Sequence, residues 1–556
     1  MSSMFLPPTR GLRVAVLVII SSSLLVSALN EAPPSHQAFE ARASEPIVLA
    51  QVHTHRSKTH GLFDEVSLVM ARKYEQEPRS VEPSSRLVAC ALPAAGLLVL
   101  GSVLVFAILR AYSVEEAENP VCAVVAGVVA HHMEGIVFTY ILSDSLAFSH
   151  RLGMDAQFSG LLLGVHKMGT AAGSLAMWSA MQANDSFWRS GRLIFQCAVL
   201  TQFAGALAFA VAASEIGLVS HASLLTLLLV SRFVAGFGGG ILIFLTLTLI
   251  GRVVAPEARR AWNVRFFLAG VSGLGTGPLL AAVVRKVQTA LGLPAEHLIR
   301  SSLAVLPFLP MVQVPSVVYY PNLEGTADLS VRSDSFKMSS LITQSSLVII
   351  CVIMQVLRNL TISSLEAGTT MMLETDYKWD SVDTGLTIAA VVGSVLFGNF
   401  AYKALADNMS PYAQQHAMNL LMLLGALMIC FCRGPWLLLI GVTIAFTASA
   451  LSGGLIMATL QQHVLPQGYV FDLNKSMLLA VVGADLMGRG GGPILARSVV
   501  MWGGKSLFAT VQIVLGVGIL LLHEVAHRLS AAVEDSGEEQ GSEDSSDDPK
   551  GSSTET

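Results

Sequence analysis

The stretch GLGTGPLLA (Gly273 to Ala281) returns as GRGGGPILA (Gly488 to Ala496), the same Gly-x-Gly-x-Gly-Pro-(Leu/Ile)-Leu-Ala pattern displaced by 215 positions (488 − 273). Two further echoes keep the same order. MDAQFSGL (Met154 to Leu161) corresponds to WDSVDTGL (Trp379 to Leu386), with Asp, Ser/Thr, Gly and Leu in register at a displacement of 225 (379 − 154). GGILI (Gly239 to Ile243) corresponds loosely to GGLIM (Gly453 to Met457) at 214 (453 − 239). Three matches in order at nearly constant spacing imply two homologous halves of about six apolar segments each.

Composition places those segments in a bilayer. The mean hydropathy is +0.61, 53% of the 556 residues are hydrophobic and only 13% are charged, against roughly a quarter charged in a soluble domain. This leaves no room for a water-soluble catalytic domain of ordinary size. The net charge of −5 comes largely from the C-terminal tail and gives no footprint for nucleic acid. Six cysteines (Cys90, Cys122, Cys197, Cys351, Cys430, Cys432) are scattered through apolar stretches without a CxxC pair. They read as small packing residues, so neither disulfide, metal nor cofactor is called for.

A hydrocarbon core of about 30 Å takes about 20 apolar residues per helix. That ruler predicts twelve core spans: 121–143, 157–179, 193–214, 224–250, 263–285 and 302–320, then 342–364, 384–402, 412–432, 436–459, 476–498 and 506–523. The lobes are thus expected at 121–320 and 341–525, joined by a polar, turn-rich central loop at 321–340. Residues 526–556 read as an acidic tail, disordered where serine and acid dominate from Glu534 onward. Ahead of the core, residues 1–28 read as a signal peptide ending in Val26-Ser27-Ala28, with an uncleaved anchor as the alternative. A polar spacer (29–86) and an extra transmembrane helix (87–110) follow. The expected class is therefore an all-α polytopic protein of an endomembrane or the plasma membrane. Positive charge in the connecting loops weakly favours a core with both ends in the cytosol.

Ionisable residues inside the spans are costly and usually face the bundle interior or a pathway. Here they are His131, His132 and Glu134 in span 1, His166 and Lys167 in span 2, Arg232 in span 4, Arg358 in span 7, and Asp485 with Arg489 in span 11. Spans 3, 6, 9 and 12 carry no Asp, Glu, Lys or Arg in their interiors, the distribution expected if every third helix faces lipid. At 1.5 Å per residue, Glu134 lies about 20 Å from Val121 and Lys167 about 15 Å from Gln157, both near the midplane. Glu134 reads as a lone carboxylate sharing a helix face with His131, a pair able to exchange protons. His166 reads as a packing histidine. Asp485 and Arg489, four apart, read either as an internal ion pair or as solute contacts. Gly273, Gly277 and Pro278, repeated as Gly488, Gly492 and Pro493, allow close helix approach and bending.

These residues resemble the major facilitator superfamily. SRFVAGFGGG (Ser231 to Gly240) is similar to that family's fourth helix, APEARRAWN (Ala255 to Asn263) to its loop between helices 4 and 5, and GLGTGPLLA to its Gly-Pro fifth-helix motif. The resemblance covers about residues 120 to 525 and implies a 6+6 architecture with pseudo-two-fold related halves. It gives Arg232 a coupling role, and Gly273, Gly277 and Pro278 a hinge and packing role. In the loop Met181 to Phe195, Trp188 stands where the family's usual acidic residue belongs. Local stretches are more like organellar members, namely vacuolar phosphate carriers linked to SPX domains and lysosomal facilitators, although no SPX-like domain is present.

The expectation is a transporter, not an enzyme, that moves a small anionic or zwitterionic solute by alternating access, with protons as the candidate coupling ion. Its expected solute and coupling residues are Glu134, His131, Lys167, Arg232, Arg358, Asp485 and Arg489. Two alternatives stay open: a transport-inactive receptor or scaffold on the same fold, and a polytopic enzyme such as an acyltransferase using His131 or His132 as base.

Overall fold

The computed structural model describes residues 96, 98–107, 121–183, 190–214, 220–321, 338–406, 408–465 and 468–543. The expected signal peptide and spacer, most of the central loop, Asn184, Trp188 and residues 544–556 lie outside them. Of the extra N-terminal span, a short apolar helix, Leu98–Ala107, is described.

The first lobe is built from α1 (Val121–Thr139), α2 (Ser145–Arg151), α3 (Ala156–Ala183), α4 (Gly191–Ser214), α5 (His221–Val253) and α6 (Pro256–Ala290). It ends in a broken sixth span, α7 (Ala295–Leu303), α8 (Phe308–Met311) and α9 (Val314–Tyr319), where Pro307, Pro310 and Pro315 interrupt the backbone ladder. The second lobe comprises α10 (Met338–Thr375), α11 (Ser381–Ala406), α12 (Pro411–Phe431), α13 (Pro435–Gln462), α14 (Leu473–Gly483) and α15 (Gly491–Glu543). Ten helical stretches among the described residues are long and apolar enough to cross a bilayer. The last of them contains two spans, divided at Gly504, whose φ of 59° and ψ of −158° suit only glycine. With the less apolar 28-residue α3, these give the twelve core spans, and the chain is an integral multi-pass membrane protein. The final helix runs to Glu543, beyond residue 526 where the sequence suggested a tail would begin.

Two differences from the regular helices expected bear on function. Several helices outrun the bilayer, α10 reaching 38 residues. Span 11 is also interrupted by a π turn, Ala484–Arg489, between α14 and α15. Elsewhere the apolar residues sort as their neighbours dictate. α4 exposes Leu193, Leu200, Leu207 and Val211, α12 exposes Leu420, Leu424, Leu427 and Phe431, and the end of α15 exposes Val514, Leu521 and Val525. These are spans 3, 9 and 12; the fourth uncharged span, 6, exposes Phe308, Val314 and Val318, and such apolar surface faces lipid at no desolvation cost.

The repeat is carried into three dimensions by its glycines. A Cβ at Gly273 would meet the backbone of His132 and Gly135, and one at Gly277 would meet Ile136 and Thr139. At the equivalent Gly488 and Gly492 the neighbours are Val356 with Asn359, and Leu360 with Ser363. Every partner is displaced by the same 224 (356 − 132), so span 5 packs on span 1 as span 11 packs on span 7. None of these four glycines leaves room for a side chain of its own. The lobes meet through α6 with α11, and through α3 with α14, the π turn and α15.

Helix direction places Asn408 and Asn474 at the end of the bundle where α1 begins. Both belong to Asn-x-Ser sequons. If that end is cytosolic, neither carries glycan. Endoglycosidase treatment should leave the mobility of the full-length protein unchanged; a shift lost on Asn408→Gln would invert the orientation.

Candidate functional site

A cavity of about 60 Å³ lies between the lobes, walled by His131, Lys167, Phe266 and Gly270 from the first and by Gln355, Arg358, Asn359, Asp485 and Arg489 from the second. It holds about four waters at most, so a solute requires the lobes to part. Contacts close both ends. Where α1 ends, Arg497 of α15 donates Nη2 to Ser145 Oγ at 2.8 Å and Nη1 to Ser159 Oγ. Arg285 of α6 pairs with Asp144 at 2.9 Å and donates to Ser381 of α11. At the opposite end Asn263 donates to Gln461 at 2.7 Å.

Beside the cavity sits a buried cluster. Lys167 Nζ lies 2.6 Å from Glu134 Oε1, His166 Nε2 lies 3.2 Å from the same oxygen, and Thr170 Oγ1 is 3.5 Å away. Lys167 also stands over the Phe138 ring, 4.7 Å from its centroid. Glu134 is 1% exposed and Lys167 1%, so each neutralises a charge that would otherwise be stranded. Glu134 is therefore not the lone carboxylate expected, and His166, read as a packing histidine, is buried with Nε2 on that same carboxylate. Helix phase explains both: positions 166 and 167 of α3 present to α1 the face on which Glu134 lies. His131 instead stacks on Phe266, centroids 4.1 Å apart, and His132 Nδ1 lies 2.8 Å from Ser272 Oγ and 3.1 Å from the Ala269 carbonyl.

The two lobes treat equivalent positions differently. Glu134 and Arg358 are displaced by 224 (358 − 134), and each fits against a glycine of the GGILI/GGLIM echo. A Cβ at Gly239 would lie 2.6 Å from Glu134 Cγ, and one at Gly453 would lie 2.6 Å from Arg358 Nε. Arg358 donates Nε to the Ser449 carbonyl at 2.6 Å and Nη2 to that of Ala450 at 3.4 Å. Arg232 makes the mirror clamp, donating to the carbonyls of Val137 at 3.1 Å and Phe138 at 3.0 Å. These belong to the last turn of α1, whose carbonyls lack intrahelical partners and attract a cation. Arg232 is thus a buried tie between α5 and α1, outside the cavity wall, while Arg358 ties α10 to α13 and lines the cavity.

Asp485 and Arg489 both line the cavity, but the ion pair offered as one reading is not formed. The π turn changes their relative phase, and Arg489 donates Nε to Asn359 Oδ1 at 3.0 Å. Sequence reasoning missed Arg497, Arg285, Asp144 and Glu366. Arg497 lies inside the predicted span 476–498 and was legible there. Glu366 sits two residues beyond the predicted end of span 7, and Asp144 with Arg285 at span ends, where charge is ordinary. Glu366 is 4% exposed, with Oε1 lacking a hydrogen-bond partner among the described residues.

No family model and no curated protein matches this sequence. Solved structures do. The xylose transporter XylE from E. coli, in a partially occluded inward-open conformation, superposes with a TM-score of 0.53 at 13% identity, over 72% of this chain and 95% of that one. A bacterial homologue of the iron transporter ferroportin, outward-facing, gives 0.50 at 12% identity over 74% and 98%. The human organic anion transporter MFSD10 gives 0.49 at 17% identity over 72% and 98%. XylE is a major facilitator superfamily protein, and the likeness shows that this chain has the same all-helical fold of two six-helix lobes.

Proposed function

We propose that this chain, on its major facilitator fold, is a membrane transporter that moves a small anionic or zwitterionic solute by alternating access. The observation that carries the reading is the cavity between the lobes, walled by Lys167, Arg358, Arg489 and Asp485 and closed at each end by a few polar contacts. Helices joined through glycine rather than interlocking side chains can rock about such a site. The gate contacts at one end must break as those at the other form.

Protons are the proposed coupling ion, because the Glu134, Lys167 and His166 cluster adjoins the cavity. A solute anion drawn to Lys167 weakens its hold on Glu134, which then accepts a proton. XylE is a proton:xylose symporter, so this fold accommodates such coupling. The acyltransferase alternative is disfavoured by the histidines: His131 lies flat on Phe266, and the Ser272 hydroxyl beside His132 donates to the Ala269 carbonyl of its own helix. Glu134, Lys167, Arg358, Asp485 and Arg489 are the proposed solute and coupling residues. Arg232 and the repeated Gly-Pro motifs, Gly273, Gly277, Pro278, Gly488, Gly492 and Pro493, are proposed as the ties and hinges on which the lobes move.

The test is a thermal-shift screen of purified full-length protein against a metabolite library, followed by uptake of each stabilising compound into proteoliposomes with an imposed pH gradient. Accumulation above the passive level is the expected result. Stabilisation by a compound that is never taken up would make the chain a receptor instead.

A further inference from the structure

The π turn Ala484–Arg489 sets an acid and a base into the cavity wall without joining them to each other. The Asp485 carboxylate makes no hydrogen bond or ion pair with the described residues, though it is only 8% exposed. Arg489 spends its Nε on Asn359 and makes no other side-chain hydrogen bond among the described residues. Opposite charges four apart on a regular helix ordinarily pair. A carboxylate kept inside a span with only the cavity before it is retained where it has a use, and π turns inside α-helices concentrate at functional sites.

The other lobe shows that packing alone does not require this arrangement. Gly270 and Leu274 occupy the equivalent positions, displaced by 215 (485 − 270), and there α6 continues without a π turn. Other charges of the wall are already engaged: Lys167 with Glu134 at 2.6 Å, Arg358 with two carbonyls. The charges left for a solute are one negative and one positive, a turn apart. A simple anion bound to Arg489 would be repelled by Asp485, which selects against it.

We infer that this turn binds the charged head of a zwitterion of the amino-acid class, Arg489 taking the carboxylate as a two-pronged hydrogen bond and Asp485 taking the ammonium. This deepens the transporter reading and rests on it for the cavity's role.

The experiment uses full-length purified protein and the twenty proteinogenic amino acids, each matched with its deaminated carboxylate and its decarboxylated amine. At least one amino acid should raise the melting temperature saturably, while its two partners at equal concentration leave it unmoved. Asp485→Asn should weaken binding of that amino acid at least tenfold and lift the discrimination against the matched carboxylate. Arg489→Gln should weaken the amino acid similarly without improving the carboxylate. Equal binding of amino acid and carboxylate by the unaltered protein, no response to any amino acid, or an unchanged Kd in Asp485→Asn would each overturn the inference. The first two outcomes are read on the unaltered protein, so misfolding of a variant does not obscure them. Uptake of a solute that is not a zwitterion would sink the inference and keep the transporter reading. A zwitterion bound through Asp485 but never taken up would do the reverse.

Discussion

Glu134→Gln is expected to cost about 3–5 kcal/mol of stability, because it leaves the Lys167 ammonium buried without its counter-charge. Lys167 Nζ and Glu134 Oε1 are 2.6 Å apart and each residue is 1% exposed, so water cannot take the carboxylate's place. Removing both charges, as Glu134→Gln with Lys167→Met, should recover most of that loss, since an apolar replacement of a buried pair is often neutral. The double variant should nonetheless lose pH-driven accumulation, having lost the carboxylate proposed to take up the proton. Melting temperature and proteoliposome uptake across a pH series, measured on both variants, separate packing from coupling. Unchanged pH dependence in the double variant would return the pair to a structural role. Read as a lone carboxylate, Glu134 would tolerate the substitution without loss of stability; the observed pairing reverses that expectation.

Arg497→Met should open the end of the two-lobed bundle at which α1 terminates. Arg497 is fully buried and links α15 to Ser145 and Ser159 of the opposite lobe. Hydrogen bonds to a charged donor contribute about 1.5–3 kcal/mol each, so losing two should shift the balance of closed and open forms about a hundredfold or more. The serines are not stranded, because Ser145 also donates to the Leu142 carbonyl at 2.7 Å and Ser159 to that of Ala156 at 2.6 Å. Spin labels at Leu291 and Trp502, exposed at 48% and 70% on that end of the two lobes, report the change as a longer distance population. An unaltered distance distribution in a folded Arg497→Met protein would mean that Arg497 only fills space. Arg497→Lys, which keeps the charge but not the two-pronged reach, should lie between.

Much of the fold is legible because a bilayer imposes simple rules on sequence. Length and apolarity mark the spans, and the absence of charge from spans 3, 6, 9 and 12 marks helices with apolar surface left for lipid. Repeated glycines mark where backbones touch. The Gly273/Gly488 and Gly239/Gly453 echoes mark equivalent contacts, which in the structure share partners displaced by a common 224. Local irregularity was harder to read: nothing in ADLMGR (Ala484 to Arg489) distinguishes a π turn from an α-helix, since the difference lies in how span 11 packs on span 7.

The sequence by itself determined that this chain crosses a membrane as two related lobes, and that a small set of charges lies within them, because burying a charge in apolar surroundings is costly wherever the neighbours stand. Only the tertiary structure decided how those charges are used. Glu134 found Lys167 across 33 positions, Arg497 found Ser159 across 338, Arg232 found the open end of α1, and Asp485 found no side-chain partner among the described residues. Each outcome depends on the rotation of one helix against another and on the docking of the lobes, quantities that a few ångströms alter and that no single segment encodes.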